Sequence, residues 1–168
     1  MLISQETSHA LDLLYNKFFD LNSLFDNAVS YMLNNWCMPN ASEVIHLNLA
    51  HTFPLMADSI SEIKDNYDER SIRTELPNHD EEYSDIADMM NLLYENCENT
   101  YELIKATFNI AMEHNDVNVV CDLSEFQKSF NKIIGQVITL KNKADQMPTE
   151  YDKFDRHIDK WGIVGLGE

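Results

Sequence analysis

Glycine is almost missing from this chain, and that scarcity constrains the fold more than any motif does. Four of the 168 residues are glycine, and Gly162, Gly165 and Gly167 crowd the C-terminus, so Gly135 stands alone between residues 1 and 161. Antiparallel sandwiches and barrels need glycine at tight turns, and doubly wound sheets need it where strands turn into helices. Both classes are disfavoured here. Hydrophobic residues make up 44% and charged residues 24% of the sequence, proportions of a globular protein rather than a disordered tail. The length suits one compact domain with a substantial core.

Charge narrows the partners. Twelve Lys and Arg against 29 Asp and Glu leave a formal charge of −17. Nucleic-acid binding relies on clustered basic residues, and no cluster exists, so nucleic-acid binding through the fold surface is disfavoured and no nucleic-acid partner is expected. A basic membrane-facing helix is absent too, and no apolar run approaches the length of a membrane span. Metal cations or basic proteins are what such a field attracts. Cys37, Cys97 and Cys121 lie singly, which fits reduced thiols better than a disulfide framework, and the N-terminus MLISQETSHALD lacks the pattern of a secretory signal. The expected location is cytoplasmic.

Apolar residues recur at helical steps in four long segments. Leu11, Leu14, Phe18, Leu21, Phe25, Ala28 and Met32 mark the first, from about residue 4 to 34. Ile45, Leu49, Phe53, Met56, Ile60 and Ile63 mark the second, about 41 to 66, with Pro54 as an expected kink and Asn40 or Ser42 as an expected cap. Ile86, Met90, Leu93, Cys97, Tyr101, Ile104, Phe108 and Ala111 mark the third, about 80 to 114. Val120, Leu123, Phe126, Phe130, Ile134, Val137 and Leu140 mark the fourth, about 117 to 146. Beyond Pro148, Thr149–Asp152 reads as a capping box opening a short fifth helix to about Trp161, ended by Gly162. Residues 1–147 form the expected bundle, and 148–168 the short helix and a flexible tail.

The links between these segments are short, long and short. Short links force antiparallel neighbours, whereas a long one lets two helices run the same way. Residues 67–79 supply that long link, although about 13 residues are barely enough for a full crossover unless helix ends fray. The expected fold is an up-down-down-up four-helix bundle, with the crossover between helices two and three and a short C-terminal helix.

This pattern resembles the ferritin-like superfamily over roughly residues 8–146. The segments LAHTFPLMADSISEI (49–63) and IAMEHNDVNVVCDLSEFQ (110–127) look closest to the second helix and the turn into the fourth helix of the ferritin and Dps branch. The resemblance implies Fe²⁺ binding, oxidation and storage by a homo-oligomer, with a di-iron carboxylate-type centre and ferroxidase-type oxidoreductase chemistry.

Candidate ligands follow from hard-oxygen and imidazole chemistry on helical faces. Glu43 and His46 form an E-x-x-H pair, the motif that ferritins carry in their second helix; the other reading is an N-terminal carboxylate beside a surface histidine. A second E-x-x-H, Glu6 to His9, sits at a helix start and reads as solvated. His51, Asp58 and Glu62 share one helical face, and the D-x-x-x-E spacing resembles the pair Dps proteins use between subunits; a solvated polar face accounts for it equally. Glu95, Glu98 and Glu102 on the third helix supply either a further carboxylate ligand or a wet outer stripe. Metal held by carboxylate and neutral imidazole would bind more tightly as pH rises through the histidine range.

Other readings stay open. The bundle can be a non-catalytic interaction module that has lost its metals. Glu95-x-x-Glu98 and Glu113-x-x-Asp116 match the spacing of MazG-like nucleotide pyrophosphohydrolases, but one unbroken helix would hold both, about 27 Å apart. The apolar tail 162–168 reads as a frayed end, and it also looks like the C-terminal peptides by which ferritin-like cargo docks inside encapsulin shells.

Overall fold

The computed structural model describes residues 1–167, and among them every regular element is a helix. Helix α1 spans Gln5–Trp36. It opens on Ser4, whose hydroxyl accepts from the Thr7 amide, and closes on Cys37, which turns left-handed at φ 51° and donates its N–H to the Met32 carbonyl. The chain reverses at once into a second rod built from α2 (Pro39–Ile45), a π-turn (His46–Ala50) and α3 (Thr52–Asp65). Pro39 starts that rod, and neither Asn40 nor Ser42 caps it. Asn40 instead donates to the Asp155 carbonyl, and Ser42 to the Val29 carbonyl. Helices α4 (Ile86–Glu113) and α5 (Val117–Gln146) form the other hairpin. Among the described residues no helix is long and apolar enough to cross a membrane.

Residues 66–85 join the hairpins without helix, a longer link than the sequence suggests because helix α4 starts at Ile86 rather than near Asp80. The extra length is held by α1. Asn16 grips the link by donating to the Ile72 carbonyl at 2.8 Å and accepting from the Thr74 amide at 3.0 Å. The Arg73 guanidinium lies 3.6 Å over the Phe19 ring, a cation–π contact. His79 meets Asp20, Glu81 meets Asn27, and the Tyr31 hydroxyl donates to the Tyr83 carbonyl. These contacts climb α1 from Asn16 to Tyr31, about 22 Å of helical rise. The second rod and α4 therefore begin at the same end and run parallel, giving the up-down-down-up order with its long crossover.

His79 is the most strongly held point of that crossover. Its Nε2 lies 2.6 Å from Asp20 and its Nδ1 2.8 Å from Glu81. Burial alone would push its pKa down, but the hydrogen bonds to Glu81 and Asp20 together outweigh that and raise it above the ordinary histidine value. A group raised on folding contributes stability in full below its unfolded value, about 6.5, and loses it as pH rises through the folded one. Urea denaturation of the parent and of His79→Gln is expected to show a wider gap at pH 5.5 than at pH 8.5. An equal gap at both would refute the bridging role.

The C-terminal segment packs on the bundle. Helix α6 (Tyr151–His157) and a single 3₁₀ turn (Ile158–Lys160) follow α5. The expected capping box does not form: Glu150 takes the cap position and makes no side-chain cap bond, so α6 is held by tertiary contacts. Phe154 is buried and sets its ring edge-on to Trp161 at 4.9 Å, and Asp155 accepts from the Ala41 amide at 2.7 Å. The described part of the tail, 162–167, is folded back rather than frayed; Glu168 lies outside the described residues. Gln136 accepts from the Val164 and Gly165 amides and donates to the Gly165 carbonyl, while Ile163 is buried. Gly165 sits at φ +65° so close to the Asn48 carbonyl that a Cβ would overlap it.

Candidate metal centre

The middle of the bundle is aromatic. The buried Phe18 ring of α1 lies edge-on to Phe126 at 5.2 Å and to Phe130 at 5.6 Å, both on α5, and 6.3 Å from Phe53 on α3. Phe25 extends the cluster by packing 4.8 Å from Phe53. On α4 the inward residues of this region are Leu93, Cys97, Thr100 and Ile104, all buried. Burial pushes the Cys97 thiol up to about 12, so it stays protonated. The Thr100 hydroxyl is used within its own helix, donating to the Asn96 carbonyl. Lys64 is the sole charged residue buried among the described residues; no Asp, Glu or His joins it.

The sequence-derived candidates lie outside this core. Glu43, His51, Asp58, Glu62, Glu95, Glu98 and Glu102 are exposed, and His46 is half-buried. The structure brings together one pair, His46 and His51, whose ring centroids are 4.2 Å apart. Asp26 joins them, with Oδ1 2.9 Å from the His46 Nδ1. Asp20 and Asp26 on α1 each hold a histidine from another segment, His79 and His46. Glu95, Glu98 and Glu113 lie on the unbroken α4, while Asp116 accepts from the Ser4 amide and from the Ser4 and Thr7 hydroxyls. No three His, Cys, Asp or Glu side chains converge on a metal position among the described residues.

No family model matches this sequence, and no curated protein is similar to it at the level of sequence. Solved structures are similar throughout. An open-pore ferritin from the archaeon Archaeoglobus fulgidus superposes with a TM-score of 0.87 at 13% identity, covering 96% of this chain and 98% of that one. The chain has the ferritin fold. A humanized archaeal ferritin gives 0.86 at 14% identity with the same coverage, and a ferritin from the green alga Ulva pertusa gives 0.86 at 12%, covering 95% and 86%.

Within the ferritin fold a di-iron carboxylate centre is built from inward-facing glutamates and Glu-x-x-His pairs on the four helices. This chain's donors do not fit that group. On the second rod the buried residues around Phe53 are Leu49, Ala50, Thr52, Met56 and Ala57, none of them a carboxylate or imidazole, and the rings facing Phe53 and one another on α1 and α5 are Phe18, Phe126 and Phe130. Phenyl rings offer no lone pair to a hard cation. The E-x-x-H at Glu43 and His46 sits at the start of the rod, about 10 Å of rise before Ala50 and Phe53.

Proposed function

We propose that this protein is a non-catalytic ferritin-fold bundle, an interaction module rather than an iron-oxidising one. The aromatic cluster of Phe18, Phe53, Phe126 and Phe130 carries the reading, because it fills the space that metal ligands would need with side chains unable to bind metal. The surface carboxylates Glu43, Asp58, Glu62, Glu95, Glu98 and Glu102 then belong to the solvated face that keeps an acidic protein soluble. The partner is a further copy of the chain, in a homo-oligomer. The ferritin fold, shared with an open-pore ferritin, supports such association.

Two measurements on the full chain test this. Ferric iron formation after aerobic addition of Fe²⁺ is expected to run no faster than in buffer alone, and light scattering is expected to give a mass above one chain. Saturable, protein-dependent acceleration of Fe²⁺ oxidation would overturn the non-catalytic reading. A monomer at all concentrations would overturn the self-association.

A further inference from the structure

The π-turn in the second rod has a local cause. Proline has no N–H, so Pro54 cannot bond to the carbonyl four residues before it. That carbonyl belongs to Ala50, and Asn22 of α1 supplies the missing donor at 2.8 Å. Just before it the helix widens by one residue, and the His51 amide bonds to the His46 carbonyl at 3.1 Å, an i to i+5 contact. In a regular α-helix residues five apart point about 140° away from each other. A turn closed at i+5 instead stacks them, and such turns are frequent at functional sites.

The two imidazoles, brought edge-on to each other in this way, differ in their hydrogen bonding. His46 places Nδ1 against Asp26 at 2.9 Å, so that nitrogen donates to the carboxylate and Nε2 is left with its lone pair. Backing an imidazole with a carboxylate fixes its tautomer and raises its basicity as a ligand. The His51 imidazole makes no hydrogen bond to another protein group among the described residues, and the residue is exposed. Asp26 is engaged at Nδ1 and is not a third ligand, in keeping with the lack of a three-group cluster.

We propose that His46 and His51 form a surface site for one first-row divalent cation of borderline softness, the class of Ni²⁺, Cu²⁺ and Zn²⁺. Imidazole nitrogen suits these ions, water fills the remaining positions, and Asp26 is a positioning residue acting through His46. The net charge of −17 draws cations to the protein at large. The site lies on the outer face of the α1–second rod hairpin and is independent of what fills the bundle centre.

Calorimetric titration of the chelator-stripped full chain with Ni²⁺ tests the assignment. One saturable equivalent per chain is expected. His46→Ala and His51→Ala should each weaken it at least tenfold, and Asp26→Asn should weaken it by about tenfold. His9→Ala and His157→Ala should leave it unchanged. As a measurement that needs no variant, Zn²⁺ should shift the imidazole NMR signals of His46 and His51 ahead of those of the other four histidines. Absence of saturable Ni²⁺ binding, or binding that survives both alanine substitutions, would overturn the site, as would Zn²⁺ shifts led by any other histidine.

Discussion

Phe18→Ala is expected to lower the free energy of unfolding by about 3–5 kcal/mol, the range for truncating a buried aromatic side chain. Phe18 is fully buried and touches rings from two other rods, Phe53 on α3 and Phe126 and Phe130 on α5. Removing it therefore costs the transfer energy of the ring and opens a cavity lined by side chains anchored on separate helices, which cannot all collapse into it. Edge-on geometry adds a smaller amount per ring pair. Urea denaturation followed by far-UV circular dichroism measures the loss. Leu13→Ala, on the same helix but half-exposed, is the control and should stay within about 0.5 kcal/mol. A Phe18→Ala loss no larger than the control's would mean that the rings do not form the centre.

Asp12→Ala is expected to cost about 3 kcal/mol, for a different reason. Lys64 is 1% exposed, and its Nζ lies 2.6 Å from the Asp12 carboxylate. Removing one partner of a buried pair leaves the other charge uncompensated, a loss of about 3–5 kcal/mol; partial exposure of Asp12 puts the expectation at the low end. The same carboxylate oxygen accepts from the Ile72 amide at 3.0 Å, so the start of the crossover loosens as well. Adding Lys64→Met should restore most of the lost stability, since an apolar chain needs no counter-charge. A double variant no more stable than Asp12→Ala would show that the cost came from the link and not from the stranded ammonium.

The rods were legible because burial imposes its period on the sequence. Phe18 and Phe53 fall on the first and second apolar stripes and Phe126 and Phe130 together on the fourth, and the stripes alone are enough for four helices and their order. Where the crossover ends was not legible. The charged run from His79 to Glu82 looks like a helix start, and only tertiary partners on α1, Asp20 for His79 and Asn27 for Glu81, keep it extended. The failed capping box at Thr149 has a similar explanation, with Ala41 and Asn40 on α2 fixing α6 from outside.

The candidate ligands show a different limit. Glu43, His46, Asp58 and Glu62 stand at ligand spacings along regular helices, and spacing says which residues share a face but not which way that face points. The first, second and fourth stripes contain the phenylalanines of the aromatic centre, so that centre is visible only when the three stripes are compared at one level. The pairing of His46 with His51 could not be found that way. Regular helical geometry sets them apart, and they meet only because Pro54 breaks the ladder and the turn before it widens.

The most direct test is ring-to-ring contact at the bundle centre. With ¹³C-labelled phenylalanine, nuclear Overhauser cross-peaks are expected from the Phe18 ring to the rings of Phe53, Phe126 and Phe130. Cross-peaks missing from Phe18 to all three, in a chain that is otherwise folded and helical, would contradict an aromatic core and reopen that space to metal.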